Sequence, residues 1–399
     1  MIRIIFFVYW LMMPLYFFPS GQMQISDIVL SFGFVLFFSW KLIKNQRLFA
    51  KMDTSLVLFI ACVFLINTLY FILYNRSSIF MRSTIFYLFN LFLVIMFREL
   101  SQDRKFVKTL FYLCRINLIA QVIFYITGIG GNGGPRYVGT LNNPNQFAFF
   151  VFASFLVMYV ISVSGKYSVK IRIIDYGMVL YLVILSASMG VLIGVTTLIV
   201  ATLVFTIPKR KLPLIVSSLA LGALLVFFLF DIDTDELFVT TRIEGRADAT
   251  AVTFFEDRSL ERVYLYPQYL LFGSGEGAHQ RFGARTEMHS TWLSVVFYYG
   301  IIPFLILLTW MKGNLKNMDI KYLPVIIAII VDSVGRITQR QPFIWAILIL
   351  IYLCNNTQEK GQEIGLRGAP PPFFGPGRLR SRADRVPQAH IAPRKGHTH

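Results

Sequence analysis

Between Asp231 and His289 the chain carries six arginines, two histidines and no lysine: Arg242, Arg246, Arg258, Arg262, Arg281 and Arg285, with His279 and His289. A guanidinium presents a planar fork of donors that matches two phosphate oxygens at once, and it tolerates partial desolvation better than an ammonium. A neutral imidazole takes up a proton near neutral pH and gives it back. Arginines beside a histidine therefore point to a phosphate-bearing ligand held next to a general base. His289 is the sharper candidate, because it stands where the polar stretch turns into the apolar Thr291-Trp292-Leu293 run. Two blander uses stay open. The arginines have local acids to pair with, among them Asp257, Glu261, Glu276 and Glu287, and a histidine at a helix start is often only solvated. A metal held by His279 and His289 with Glu276 and Glu287 is a third use, but no Cys/His cluster has zinc spacing. No P-loop or GxGxxG stands in a supporting context, which disfavours ATP or nucleotide-sugar chemistry.

The elements that position these residues are membrane spans. The chain has 399 residues, 56% apolar, with 39 Phe and a mean hydropathy of +0.62. Apolar runs fall at 4–19, 25–40, 54–74, 79–97, 107–127, 145–162, 173–187, 189–207, 214–230, 290–310, 320–334 and 342–354. They do not alternate in polarity as barrel strands would, so they are read as helices. The expected fold is an all-α integral membrane protein with about twelve transmembrane helices. Residues 1–230 would carry helices 1–9, 231–289 a large periplasmic loop between helices 9 and 10, and 290–355 helices 10–12. Residues 356–399, rich in Pro, Gly and Arg from 361 onward, read as a disordered cytoplasmic tail. The first 19 residues resemble a signal peptide without a cleavage site, and are read as an uncleaved first helix. Cys62, Cys114 and Cys354 all lie in apolar runs, so no disulfide is expected.

Charge orients the chain. Taking the N-terminus as inside, every lysine falls on the inner side or in the tail, as the positive-inside rule requires. The net charge of +17 is therefore a topology signal, and no nucleic-acid partner is inferred. The outer side holds Arg76, Arg82, Arg136, the six loop arginines, Arg336 and Arg340. Two further outer features carry polar residues. The loop 128–145 is rich in glycine, holds Arg136, and ends in Asn143-Pro144-Asn145, with Asn143 or Asn145 expected to cap the next helix. The turn between 320–334 and 342–354 holds Asp332, Arg336 and Arg340. Its short arms draw these charges toward headgroup depth, where ionisable groups usually face a protein-lined cavity. Arg115, inside the fifth run, is read as structural, snorkelling to the inner face.

In their order these motifs resemble the O-antigen polymerase and O-antigen ligase families. His289-Ser290 with Gly300 is similar to the H-[NSQ]-x9-G motif of the ligases, although the family's second glycine is Pro303 here. Arg136-Tyr137-Val138-Gly139 with Asn143-Pro144-Asn145 resembles the R-x-x-G…N-P-N pattern of the polymerases, and Leu271-Phe272-Gly273-Ser274-Gly275 resembles a P-L-x-G-x-G turn. Asp332 and Arg336 resemble the acid and arginine of a late outer loop. One departure is Met189, which stands where the family often has an arginine after the seventh span.

The resemblance implies a repeat-unit polymerase at the periplasmic face of the bacterial inner membrane, multi-pass, with both termini cytoplasmic. A glycan would move from undecaprenyl diphosphate to a lipid-linked repeat unit. The alternatives are a ligase that transfers it to lipid A–core, and a lipid-linked glycan transporter. The implied roles are His289 as base, Arg262 and Asp332 with it in catalysis, and Arg136, Arg281, Arg285, Arg336, Arg340, Asn143 and Asn145 in substrate binding. The scheme needs no metal or other cofactor. Implied partners are the undecaprenyl-diphosphate-linked oligosaccharide, membrane lipid, and flippase and chain-length regulator proteins.

Overall fold

Glycine, proline and the Asx caps decide where the long apolar runs break into helices. The computed structural model describes residues 1–19, 21–74, 77–133, 135–206, 255–284 and 286–366. The first helices are α1 (Ile2–Met12), α2 (Ile25–Ile43), α3 (Thr54–Leu73), α4 (Ser78–Leu100) and α5 (Arg104–Ile126). A small antiparallel hairpin, β1 (Gly131–Gly133) and β2 (Arg136–Gly139), leads to α6 (Pro144–Val163), α7 (Ile173–Ser186) and α8 (Met189–Thr206). After the interval 207–254 come two single turns, α9 (Arg262–Leu265) and α10 (Tyr269–Phe272), then α11 (Thr291–Tyr299), α12 (Ile301–Leu315), α13 (Leu323–Val334) and α14 (Pro342–Leu366). The fold is thus helical, and five of its helices (α2 to α6) are long and apolar enough to cross a membrane. The expected ninth span, 214–230, and most of the expected tail lie outside the described residues. Residues Met1–Gln358 form one compact unit; of the other, Glu359–His399, only the end of α14 is described.

Helix α6 is the centre. It is apolar all round, and its residues are buried almost without interruption from Phe147 to Ile161, as expected for a helix enclosed by others. Helices α5, α7, α8 and α13 pack around it. Helices α2 and α3 lie at the periphery and leave Phe32, Val35, Leu65 and Leu69 exposed, which in a bilayer is the lipid-facing side.

Four boundaries differ from the sequence reading. The first helix stops at Met12, just before Pro14, and residues 13–19 and 21–24 run on without helix. This stretch is held by Tyr16 N–H donating to the Thr140 carbonyl (3.0 Å) and by the Phe17 and Phe18 amides donating to Gln24 Oε1. The run 290–310 is two helices, broken at Gly300 (φ 83°, ψ 168°). A Cβ there would collide with the Leu271 carbonyl, and Pro303 then sits in the first turn of α12, where a missing N–H costs nothing. The break leaves the Phe297 and Tyr298 carbonyls to accept from Ser274 N–H (3.0 Å) and Gly275 N–H (2.9 Å), which docks the 271–275 turn onto the helix end. The glycine-rich loop contains the β1–β2 hairpin. Finally, α14 extends to Leu366 through helix formers such as Gln358, Glu359 and Lys360, where the sequence reading began a disordered tail. The cap expectation holds: Asn143 Oδ1 accepts from Asn145 N–H (2.8 Å), with Pro144 at the first helical position.

At the other ends of the helices, ion pairs tie the lysine-bearing connections together. Arg98 meets the buried Asp53 (2.7 Å), Lys41 meets Glu99 (2.8 Å), and Lys321 meets Asp319 (3.1 Å). Arg115 is structural and reaches the connection read as inner, where its Nη2 donates to the Lys170 carbonyl (2.9 Å). It grips Asp175 with Nε (3.0 Å) and Nη2 (2.6 Å).

Candidate functional site

The connections 13–24, 140–146, 187–190 and 335–343 meet with the start of α4 and the segments 257–258 and 287–289 around one cavity of about 820 Å³. Its wall mixes apolar side chains, among them Met13, Ile85, Phe86, Phe149, Met189 and Phe343, with Arg82, Arg258, Arg336 and Arg340 and with Asp257, Glu287 and His289; Arg336 lies over the Phe149 ring, its centroid 5.7 Å away. Among the described residues no lysine lines it. Such a cavity suits an amphipathic ligand with an anionic group.

His289 is exposed on this wall. Its Nδ1 lies 2.7 Å from the Glu287 carbonyl. A carbonyl only accepts, so Nδ1 carries the proton and Nε2 is left as the basic nitrogen. The backbone beneath it is fixed by His289 N–H on the Arg258 carbonyl (3.0 Å) and Met288 N–H on the Tyr298 hydroxyl (3.2 Å). The Ser290 N-cap position then starts α11.

Arg336 and Asn145 meet on the same wall. Arg336 Nη1 donates to the Asn145 carbonyl and Nη2 to Ser188 Oγ, both at 2.9 Å. Ser188 Oγ donates in turn to Asn145 Oδ1 (3.0 Å), which also accepts from Arg136 Nη2 (2.9 Å). Asp332, 2% exposed and one helical turn before Arg336, pairs with its Nε at 3.5 Å. Burial pulls the Arg336 pKa down from its ordinary value and Asp332 works against that shift. Asp332 therefore orients an arginine; it makes no bond to His289. The guanidinium beside the start of α8 is that of Arg336, whose Nη2 would lie 3.6 Å from a Cβ on Gly190.

Side-chain hydrogen bonds hold the 335–341 turn against α11 and α14. Thr291 Oγ1 donates to the Arg336 carbonyl (2.7 Å), Gln339 Nε2 to Ser294 Oγ (3.0 Å), and Trp345 Nε1 to the Gln339 carbonyl (2.8 Å). Arg340 lies between two carboxylates: Nη2 is 2.6 Å from Glu276 Oε1, and Nη1 is 2.9 Å from Glu287 Oε2. Burial lowers the pKa of this guanidinium, and Glu276 and Glu287 more than reverse the shift.

Of the residues singled out by sequence, the structure brings His289, Asn143, Asn145, Arg336 and Arg340 to the cavity, with Arg136 and Asp332 directly behind it. Arg262 and Arg281, expected to bind the substrate, do not line this cavity. Arg262 is 1% exposed, donates Nη2 to the Thr286 carbonyl and lies over the Phe282 ring. Arg281 donates to the Ser274 and Gly275 carbonyls, inside a cage of Tyr70, Tyr74, Phe80 and Phe282 with ring centroids 4.5–5.1 Å away. Arg281 thus pins the large loop to α3 and α4, whereas the Arg262 contacts tie the loop to itself. Arg285 and Arg76 lie outside the described residues. His279, in a short 3₁₀ turn, also lies off the cavity. Among the described residues no group of three His, Cys, Asp or Glu converges as a metal site would require.

The sequence reading missed Arg82 and Arg258 as site residues. Arg258 supplies the carbonyl under His289, and its Nε would lie 3.2 Å from a Cβ on Gly335, which places it beside the Arg336 turn. Arg82, exposed on the first turns of α4, makes no ion pair among the described residues. The only advance signal for either was membership of the outer arginine set. No family model matches this chain, and no curated protein matches it.

Proposed function

We propose that the chain is a membrane-embedded glycan polymerase that takes its donor from a lipid diphosphate at the periplasmic face. The observation that carries this reading is the cavity. It combines apolar side chains with four arginines in one lining, and the same lining holds a histidine whose Nε2 is left to take a proton. The twelve-span topology with both termini inside belongs to the same proposal. It is supported by the cavity being built from the connections that the lysine pattern assigns to the outer side.

In this scheme Arg258, Arg336 and Arg82 take over the anion-binding role first given to Arg262 and Arg281. They hold the diphosphate oxygens as charge builds on the leaving group. His289 Nε2 removes the proton from the acceptor sugar hydroxyl. The hydroxyl oxygen forms the new bond to the donor's anomeric carbon. The bond from that carbon to the diphosphate oxygen breaks, and its electron pair leaves with the lipid diphosphate. The imidazolium then returns its proton to solvent. Asn143 and Asn145 line the same cavity, and Asn145 holds Arg336 through its backbone carbonyl, so the N-P-N loop that favours a polymerase belongs to the substrate wall.

The test is polymerisation by purified protein in nanodiscs with an undecaprenyl-diphosphate-linked repeat unit. Wild-type protein should build a ladder in the presence of a chelator. His289→Ala should slow it by about 10²–10⁴-fold, the usual worth of general-base catalysis. Product on added lipid A–core, with none on the lipid-linked repeat unit, makes the protein a ligase. Transfer to neither acceptor, with the substrate moved across the bilayer, overturns the enzyme reading.

A further inference from the structure

Arg340 lines the cavity, yet its donors face away from an incoming anion. Nε donates to Glu276 Oε1 (2.8 Å), Nη2 reaches the same oxygen, and Nη1 donates to Glu287 Oε2 (2.9 Å). Glu276 is 0% exposed. It is fixed by its own N–H on Asn67 Oδ1 (2.9 Å) and by the Tyr299 hydroxyl on Oε2. The Arg340 main chain is held too, its carbonyl accepting from Asn90 Nδ2 (3.2 Å). A rigid base thus grips Glu287 by its carboxylate, and the carbonyl of that same residue takes the Nδ1 proton of His289.

We infer that Arg340 is a positioning residue: the Glu276–Arg340–Glu287 clamp fixes the residue 287 carbonyl so that His289 holds its proton on Nδ1 and turns Nε2 to the cavity. This rests on the reading of His289 as the base. The neutral imidazole has two tautomers, and only the one protonated on Nδ1 has its lone pair on the nitrogen left for substrate. A carboxylate or carbonyl behind the ring selects it, as in hydrolase triads. Glu287, half-buried on the cavity wall, would be free to swing without Arg340. Glu276, buried in the frame, keeps Arg340 from following it.

The experiment uses the full-length protein with ¹⁵N-histidine in nanodiscs, and His289→Gln identifies the signal by subtraction. Wild-type protein should show a protonated Nδ1 and an unprotonated Nε2. Glu287→Ala leaves the buried Glu276–Arg340 pair intact, so it should fold, and it should shift His289 toward the Nε2–H tautomer. Arg340→Lys keeps a cation between the acids and should restore part of the wild-type signal relative to Arg340→Met. In the polymerisation assay Glu287→Ala should lower kcat, by up to about 10⁴-fold, the cost of a fully misplaced tautomer, with KM little changed. It should cost nothing further in a His289→Ala background. An unchanged tautomer in Glu287→Ala overturns the inference, and so do effects of Glu287→Ala and His289→Ala that multiply. If the tautomer responds as stated while wild-type protein transfers no glycan, the clamp stands and the proposed reaction falls.

Discussion

Gly300→Ala tests the joint on which the site's large loop is hung. Gly300 has φ 83° and ψ 168°, a region populated almost only by glycine, where another residue costs about 1–3 kcal/mol. The added Cβ would also lie 3.0 Å from the Leu271 carbonyl carbon, closer still to its oxygen, and 3.2 Å from Gly273 N. These are main-chain atoms, so no rotamer change relieves the clash, and forced displacement of packed groups costs about 1–3 kcal/mol more. The expected destabilisation is the sum, about 2–6 kcal/mol, with the 271–275 turn lifting from the Phe297 and Tyr298 carbonyls. Gly313→Ala is the internal control. It lies in α12 with no atom within 4 Å of the new methyl group, and should be stabilising by about 0.5–1 kcal/mol as a helical glycine replaced by alanine. Thermal unfolding of both proteins in one detergent, followed by intrinsic fluorescence, gives the comparison. Gly300→Ala protein as stable as wild type would refute the joint, and so would an equal fall in Gly313→Ala.

Arg336→Ala strips the partner from Asp332, which is 2% exposed, and should destabilise by about 3–5 kcal/mol; exchanging both for leucine should recover most of the loss in the same melt. Arg262→Lys should leave KM for the lipid-linked donor unchanged and lower the melting temperature, because Arg262 faces Thr286 and Phe282; a raised KM at normal stability would return it to the substrate wall. Arg82→Ala should raise KM for the same donor without changing stability, since its side chain is exposed and makes no ion pair among the described residues. Gln280→Cys should react with an impermeant maleimide on intact spheroplasts and Lys316→Cys only after permeabilisation; labelling of both from one side would sink the proposed topology.

What the sequence made legible is what depends on neighbours along the chain. The apolar runs give most helices to within a few residues, because a helix hydrogen-bonds within itself. The Asn143 cap and the Asp332–Arg336 pair are readable for the same reason, since their partners lie two and four positions away. The gathering of His289, Asn145, Arg336 and Arg340 followed from placing all outer connections on one side. The roles of individual arginines were not legible. Arg262, Arg281 and Arg258 share one loop and one side-chain chemistry. What turns Arg281 inward is a cage whose Tyr70, Tyr74 and Phe80 belong to a distant part of the chain. Gly300 breaks its helix because of Leu271, a tertiary contact, although the Gly300 and Pro303 pair was a local hint. Pro14 was a plain stop signal inside an apolar run, and heeding it would have exposed residues 13–24 as part of the cavity wall.

The cavity wall begins at Met13 and ends at Phe343, and the ring of Phe343 packs against Trp10 with centroids 5.0 Å apart. An early and a late segment of the chain thus meet at the site. A chain emerging from the ribosome enters the bilayer from its N-terminus, so helices α1 to α12 are made while the wall is still open. His289 is already present then, but Arg336 and Arg340 are not, and the clamp behind the base has no guanidinium. Only the last hairpin, α13 and α14, brings them in. A nascent or prematurely terminated chain therefore carries His289 without the two guanidiniums that stand beside it in the finished wall.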